Sequence, residues 1–183
     1  MSRLSIPVSI DTAPAASQPL LEAVKKQFGV APNLFRLVSN SPAALEGYLG
    51  LLDALGKGTL PLKTRARIAL AVAEVNGCDY CLSAHTYLGK NLAKLDDAEM
   101  EANRGGASND AKANVAVSFA AKVVRQRGRV SDDDLRALRA AGYDEAQVIE
   151  IVLHVALNTW TNYINLIAET DIDFPVVEAR KVA

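Results

Sequence analysis

From Pro42 onward the chain reads as helix almost without interruption. After Ser41-Pro42, Leu45, Tyr48, Leu49, Leu52 and Leu55 recur at three- and four-residue steps, the spacing of one buried helical face, and Gly56 and Gly58 stop the pattern. Pro61 opens a second helix in which Ile68, Leu70, Val72 and Val75 are interleaved with alanines up to Asn76-Gly77. A third, CDYCLSAHTYLGKNLAKL, starts at or near Cys78. Polar residues 96–104 make one short helix closed by Gly105-Gly106. Ser108 or Asn109 then caps AKANVAVSFAAKVVRQ, with Lys122, Arg125 and Arg127 near its C-terminus to complement the dipole. Ser131 and the aspartates 132–134 start LRALRAAG, Gly142 ends it, and Asp144 begins the longest apolar helix, EAQVIEIVLHVALNTWTNYINLIAE. Alternation with a period of two is confined to a few residues near 6–10 and 172–177. The pattern predicts an all-α protein of about eight helices.

Five of the seven prolines fall within the first 42 residues. They predict an extended N-terminal arm over residues 1–18, followed by short helices whose starts the prolines mark. Such an arm packs poorly alone and is expected to lie across the rest of the domain or a neighbouring subunit. The length of 183 residues and a hydrophobic half fit one ordinary domain over 1–183. Twenty basic against twenty-one acidic residues leave a net charge of −1, which argues against nucleic acid or an anionic membrane as partner. No apolar run approaches the roughly 18 residues of a spanning helix. The first fifteen residues lack the apolar stretch of a secretory signal, so the expected location is cytoplasmic.

The chain has two cysteines, Cys78 and Cys81. At about 100° per residue on a helix they share an arc of roughly 60° with His85. Free N–H groups at a helix start favour thiolate over thiol, and a histidine one turn away can take the thiol proton or stabilise the thiolate as imidazolium. A second thiol within reach turns an oxidised sulfur into a disulfide before it is over-oxidised. This spacing suits attack on a peroxide, giving a sulfenic acid that the neighbouring thiol resolves. Two other readings stay open: a pair of buried thiols acting as small apolar residues, and a zinc site with His154 as fourth ligand, for which a second clustered ligand pair is missing.

The stretch LPLKTRARIALAVAEVNGCDYCLSAHTYLGK, together with VLHVALNTWTNYINLIAE, resembles the alkylhydroperoxidase D-like and carboxymuconolactone decarboxylase superfamily, in its peroxidase-related branch, over roughly residues 30–170. The resemblance implies an AhpD-like helical fold, assembly into homo-oligomers, and a thiol-dependent peroxidase. In that pattern Cys81 is the peroxidatic thiol, Cys78 the resolving thiol and His85 the base or proton relay, and an external dithiol protein reduces the disulfide. No metal, haem, flavin or nucleotide is implied, and the chain has no phosphate-cradling Gly-rich loop. The family's relay glutamate would fall at Ala66, which cannot serve. Glu74 is expected to replace it, bonded to His85 across the Asn-Gly break. Tyr80 stands where family members can carry a histidine, and is open to two readings, peroxide-pocket lining or packing. His154 is expected in the core, and Trp160, Asn158, Asn162, Tyr163 and Asn165 are expected to bond between helices or subunits. The rival functions are a decarboxylase-like lyase acting on a lactone, and a non-enzymatic redox switch.

Overall fold

A computed structural model of the chain describes residues 2–180. The described residues contain nine α-helices, two 3-10 turns and no strand, in agreement with the all-α expectation. They fall into two compact units: the described parts of Met1–Lys57 with Ile164–Asp173, and of Gly58–Tyr163 with Phe174–Ala183.

The first unit holds 3-10 turns at Ile10–Thr12 and Ala15–Ser17, then α1 (Gln18–Phe28), α2 (Asn33–Val38) and α3 (Pro42–Gly56). Pro19 sits in the first turn of α1, and Gly29, at φ +82°, ends that helix in the left-handed region open to glycine. The arm is less extended than expected. Thr12 Oγ1 donates to the Ser9 carbonyl at 2.9 Å and accepts from the Ser9 N–H at 3.2 Å, so local side-chain bonds coil the segment. The arm lies along its own unit: Arg36 Nη1 donates to the carbonyls of Pro7 and Val8 at 2.9 and 3.0 Å, and Asn40 Nδ2 to that of Ser5 at 2.7 Å. Four of the six residues of α2 are buried, and Phe35 stacks on Tyr48 of α3 with ring centroids 5.3 Å apart.

The second unit is built around α4 (Leu62–Asn76), with α5 (Asp79–Asn91), α6 (Asp97–Arg104), α7 (Ala111–Arg125), α8 (Asp132–Ala140) and the first nineteen residues of α9 (Glu145–Ala168). Residues 68–73 of α4 are buried without a break. Ala71 of α4 packs with Val117 and Ala121 of α7, and Ile68 and Val72 with Ala116 and Ala120. Ile68, Val72, Phe119, Leu138, Ile151 and Val155 fill the remaining space as one core. Gly89 of α5 lies where an added Cβ would meet Met100 Sδ at 3.3 Å, a close crossing that a larger residue would loosen. The cap of α7 is Asp110, whose Oδ1 accepts from Ala113 N at 2.8 Å, rather than Ser108 or Asn109. Those two are engaged by Glu99: Ser108 Oγ donates to its Oε1 and Asn109 N to its Oε2. Ser131 and Asp134 form a reciprocal capping box on α8.

Candidate functional site

The helix α4 ends on Gly77 at φ +68°, a left-handed residue that turns the chain so that Cys78 becomes the N-cap of α5. Cys78 has extended backbone angles, so it stands just outside the helix. Only Cys81 and His85, one turn apart, share its face in the strict sense. The Cys78 sulfur nevertheless accepts the Cys81 N–H at 3.3 Å and pairs with the Cys81 sulfur in a disulfide, the Cα atoms 5.3 Å apart. Both cysteines are buried. Cys78 is 1% and Cys81 3% exposed, because both lie against the apolar body of the unit rather than at its rim. Among the described residues no three His, Cys, Asp or Glu side chains gather to hold a metal.

His85 keeps part of its surface accessible. Its protein surroundings still deprive a charged ring of water, and this desolvation pushes its pKa down to about 4. The side chain of Asn158, on α9, opposes that shift. The helix α9 buries His154, Asn158, Thr161 and Asn162 while Ile149, Val152, Leu153, Trp160 and Tyr163 stay exposed. Amides thus face inward beside Ile151 and Val155, while a second set of apolar side chains on the same helix faces out. Asn76 Nδ2 donates to Asn162 Oδ1 at 2.8 Å, tying the end of α4 to α9, so the expected interhelical role of the amides holds for Asn162. His154 lies in the core as expected, held near pKa 4 by burial and then by Arg65, but its Nε2 makes no hydrogen bond.

The Glu74–His85 bond expected from the sequence does not form. Glu74 Oε2 accepts from Arg104 Nε at 2.6 Å and Oε1 from the Arg180 backbone N–H at 2.7 Å. Both oxygens are committed to a clasp on residues 174–180. Asp79 Oδ1 accepts the Ala179 N–H at 2.7 Å, Ser83 Oγ the Val177 N–H at 2.9 Å, and Arg104 Nη2 donates to the Glu178 carbonyl at 2.7 Å. Tyr80 is buried, edge-on to Phe174 with centroids 5.9 Å apart, which is the packing reading. Asp79, Tyr80 and Ser83 lie about 100–200° round α5 from the position of Cys78, so the strap grips the side of α5 away from its sulfurs. No motif marked Arg104 or the strap in advance. The expected outcome of Glu74→Gln is a rise in the hydrogen-exchange rates of the Val177, Ala179 and Arg180 amides. A slowed thiolate formation with those amides unchanged would return the carboxylate to the proton relay.

Residues 42–126 match the model of the Carboxymuconolactone decarboxylase family. Among solved structures, the chain is similar to an uncharacterized peroxidase-related protein from Silicibacter sp. TM1040, with 24% identity, coverage of 93% of this chain and 91% of that one, and a TM-score of 0.81. A protein from Ralstonia eutropha JMP134, described as an alkylhydroperoxidase AhpD core and an uncharacterized peroxidase-related protein, matches at 21% identity, 94% and 92% coverage and a TM-score of 0.84. The debrominase Bmp8, as a cysteine-to-alanine variant in complex with 2,3,4-tribromopyrrole, matches at 19% identity, 94% and 93% coverage and a TM-score of 0.79. No curated protein matches the chain. At these identities the structural likeness shows the fold, an AhpD-like all-α arrangement.

Proposed function

We propose, from the premise that residues 42–126 belong to the carboxymuconolactone decarboxylase family, that this chain is a thiol-dependent peroxidase acting on hydrogen peroxide or a small organic hydroperoxide. The observation that carries the reading is the pairing of Cys78 and Cys81 at the start of α5, with a neutral His85 one turn beyond Cys81 on the same helix. In the reduced chain His85 takes the Cys81 proton. The thiolate attacks the outer oxygen of the peroxide, the O–O bond breaks, and the departing alkoxide or hydroxide leaves as alcohol or water with a proton returned by His85. Cys81 is then a sulfenic acid. The Cys78 sulfur displaces its hydroxyl as water and forms the disulfide, and an external dithiol protein donates the two electrons and two protons that restore both thiols.

Burial of the sulfurs supports small peroxides over bulky ones. The apolar outer side of α9, with Ile149, Val152, Leu153, Trp160 and Tyr163 exposed, supports a homo-oligomer, since a second copy would cover it. A second reading, a redox switch without catalysis, is favoured by the same burial, which hinders approach of a protein reductant. Lyase chemistry on a lactone would need neither sulfur.

The test is titration of the purified protein with cumene hydroperoxide and with hydrogen peroxide under excess dithiol, with intact mass read for the disulfide. The expected result is many turnovers per chain and loss of two hydrogens in the oxidised form. Stoichiometric oxidation without turnover would leave the switch reading, and no oxidation at all would end both.

A further inference from the structure

We infer that residues 177–180 act as a splint across the Gly77–Cys78 junction, and that their release is the movement that lets a reductant reach the buried Cys78–Cys81 disulfide. As a step of a catalytic cycle the movement rests on the peroxidase reading; as a movement it rests only on the bonds around the disulfide.

A thiolate attacks one sulfur of a disulfide from the side opposite the sulfur that leaves, so it needs access to that side. Cys78 and Cys81 are 1% and 3% exposed. Part of the chain must therefore move before reduction can begin. A place to bend lies directly beside the pair. Gly77 stands at φ +68° between α4 and α5, and an added Cβ there would meet nothing within 4 Å. Turning at Gly77 carries the first turn of α5, with both sulfurs, away from the apolar body of the unit.

The strap resists that turn because it is bonded on both sides of the glycine. Before it, Glu74 Oε1 accepts the Arg180 N–H at 2.7 Å. After it, Asp79 Oδ1 accepts the Ala179 N–H at 2.7 Å and Ser83 Oγ the Val177 N–H at 2.9 Å. Ser83 Oγ also donates to the Asp79 carbonyl at 2.7 Å, so the strap grips a turn already closed on itself. From α6, Arg104 holds Glu74 through Nε at 2.6 Å and the Glu178 carbonyl through Nη2 at 2.7 Å. The first turn of α5 is thus held between the body of the unit on its sulfur side and the strap on the other. The bonds to Ala179 and Arg180 lie at the exposed surface, where water can replace them, so the strap can open while the core stays closed.

With the strap off, the thiolate of a dithiol attacks Cys81, and the S–S bond breaks as Cys78 leaves and takes a proton. The second thiol of the reductant then closes its own disulfide and frees Cys81. The strap governs the first of these steps.

The test is the rate at which dithiothreitol reduces the oxidised full chain, read as intact mass after the new thiols are trapped with iodoacetamide. Ala179→Pro removes the N–H given to Asp79, and Ser83→Ala removes the hydroxyl that accepts from Val177. Each is expected to speed reduction roughly 10–100-fold. Leu138→Ala, at a fully buried position of α8, is the control for general loosening and is expected to lower the melting temperature without changing the reduction rate. Strap variants reduced at the wild-type rate overturn the inference, and so does a Leu138→Ala variant reduced as fast as they are. Hydrogen exchange in the unaltered chain decides even if a variant does not fold. The Val177, Ala179 and Arg180 amides are expected to open no more slowly than the Cys81 N–H, which the Cys78 sulfur holds at 3.3 Å. A Cys81 N–H that exchanges while the strap amides stay protected overturns the inference. No peroxide enters these measurements. Strap-dependent reduction in a protein that turns over no peroxide would sink the peroxidase reading and leave this one standing, and peroxide turnover with strap-independent reduction would do the reverse.

Discussion

Cys81→Ser is expected to lower peroxide consumption to the background of the dithiol alone, a loss of about 10³-fold or more in kcat/KM. A serine hydroxyl is not ionised by a neutral imidazole without further help, and it cannot pass through a sulfenic acid. Cys78→Ser should behave differently. The Cys81 thiolate still attacks once, but its sulfenic acid has no resolving thiol, so the chain stalls after one equivalent with an added oxygen and then gains more under excess peroxide. The measurement is single-turnover peroxide loss beside intact mass for both variants. One observation competes with this order of roles: the Cys78 sulfur, not that of Cys81, occupies the N-cap and accepts the Cys81 N–H, a place that favours thiolate. In the cycle above, the same bond makes Cys78 the better leaving group when the reductant attacks Cys81. If the burst of one equivalent appears in Cys81→Ser and not in Cys78→Ser, the peroxidatic role passes to Cys78.

The second large effect lies outside the thiol site. Glu99→Ala is expected to destabilise the protein by about 3–5 kcal/mol, which for a chain of this length is a fall in melting temperature of roughly 6–20 °C. Glu99 Oε1 accepts from Arg67 Nε at 2.6 Å, Asn103 Nδ2 at 2.9 Å and Ser108 Oγ at 2.5 Å, while Oε2 accepts from Asn109 N at 2.7 Å. Its side chain and that of Arg67 are 6% and 11% exposed, so removing the carboxylate strands a guanidinium with little water to turn to. Burial would raise the Glu99 pKa, but the bonds from Ser108, Asn103, Asn109 and Arg67 outweigh it and hold the group at about 2. A folded-state pKa below the unfolded value of about 4.3 contributes stability that is fully present above that value and is lost as pH falls through about 2. The gap in melting temperature between wild type and Glu99→Ala should therefore be constant above about pH 5 and narrow towards pH 2. A gap that does not change with pH would show that the carboxylate charge contributes nothing to folding.

Much of the helical pattern was open to reading because helix formation is local. Pro42 and Gly77 act on their own backbone angles, Ser131 and Asp134 cap within three residues, and the apolar spacing of α3 reports one buried face without reference to any partner. The arm was misread for a local reason, the Ser9–Thr12 bonds, and Ser108 for a distant one. A polar residue near a helix start caps it unless something distant claims it first, and Glu99 claims Ser108 from nine residues away. Nothing in 96–104 announces that Glu99 meets Arg67 of α4.

The thiol site divides along the same line. Two cysteines and a histidine spaced within eight residues are brought together by the chain and the pitch of one helix, so their juxtaposition was legible without a fold. Their burial and the diversion of Glu74 to Arg104 and the strap depended on contacts 30 to 106 residues apart. The chain offers many carboxylates as candidate partners of His85 and four amides on α9, and spacing ranks none of them. Packing decided which were used: Glu74 met Arg104, 30 residues on, and Asn76 met Asn162, 86 residues on, because a buried polar group left unpaired costs more than a local preference returns.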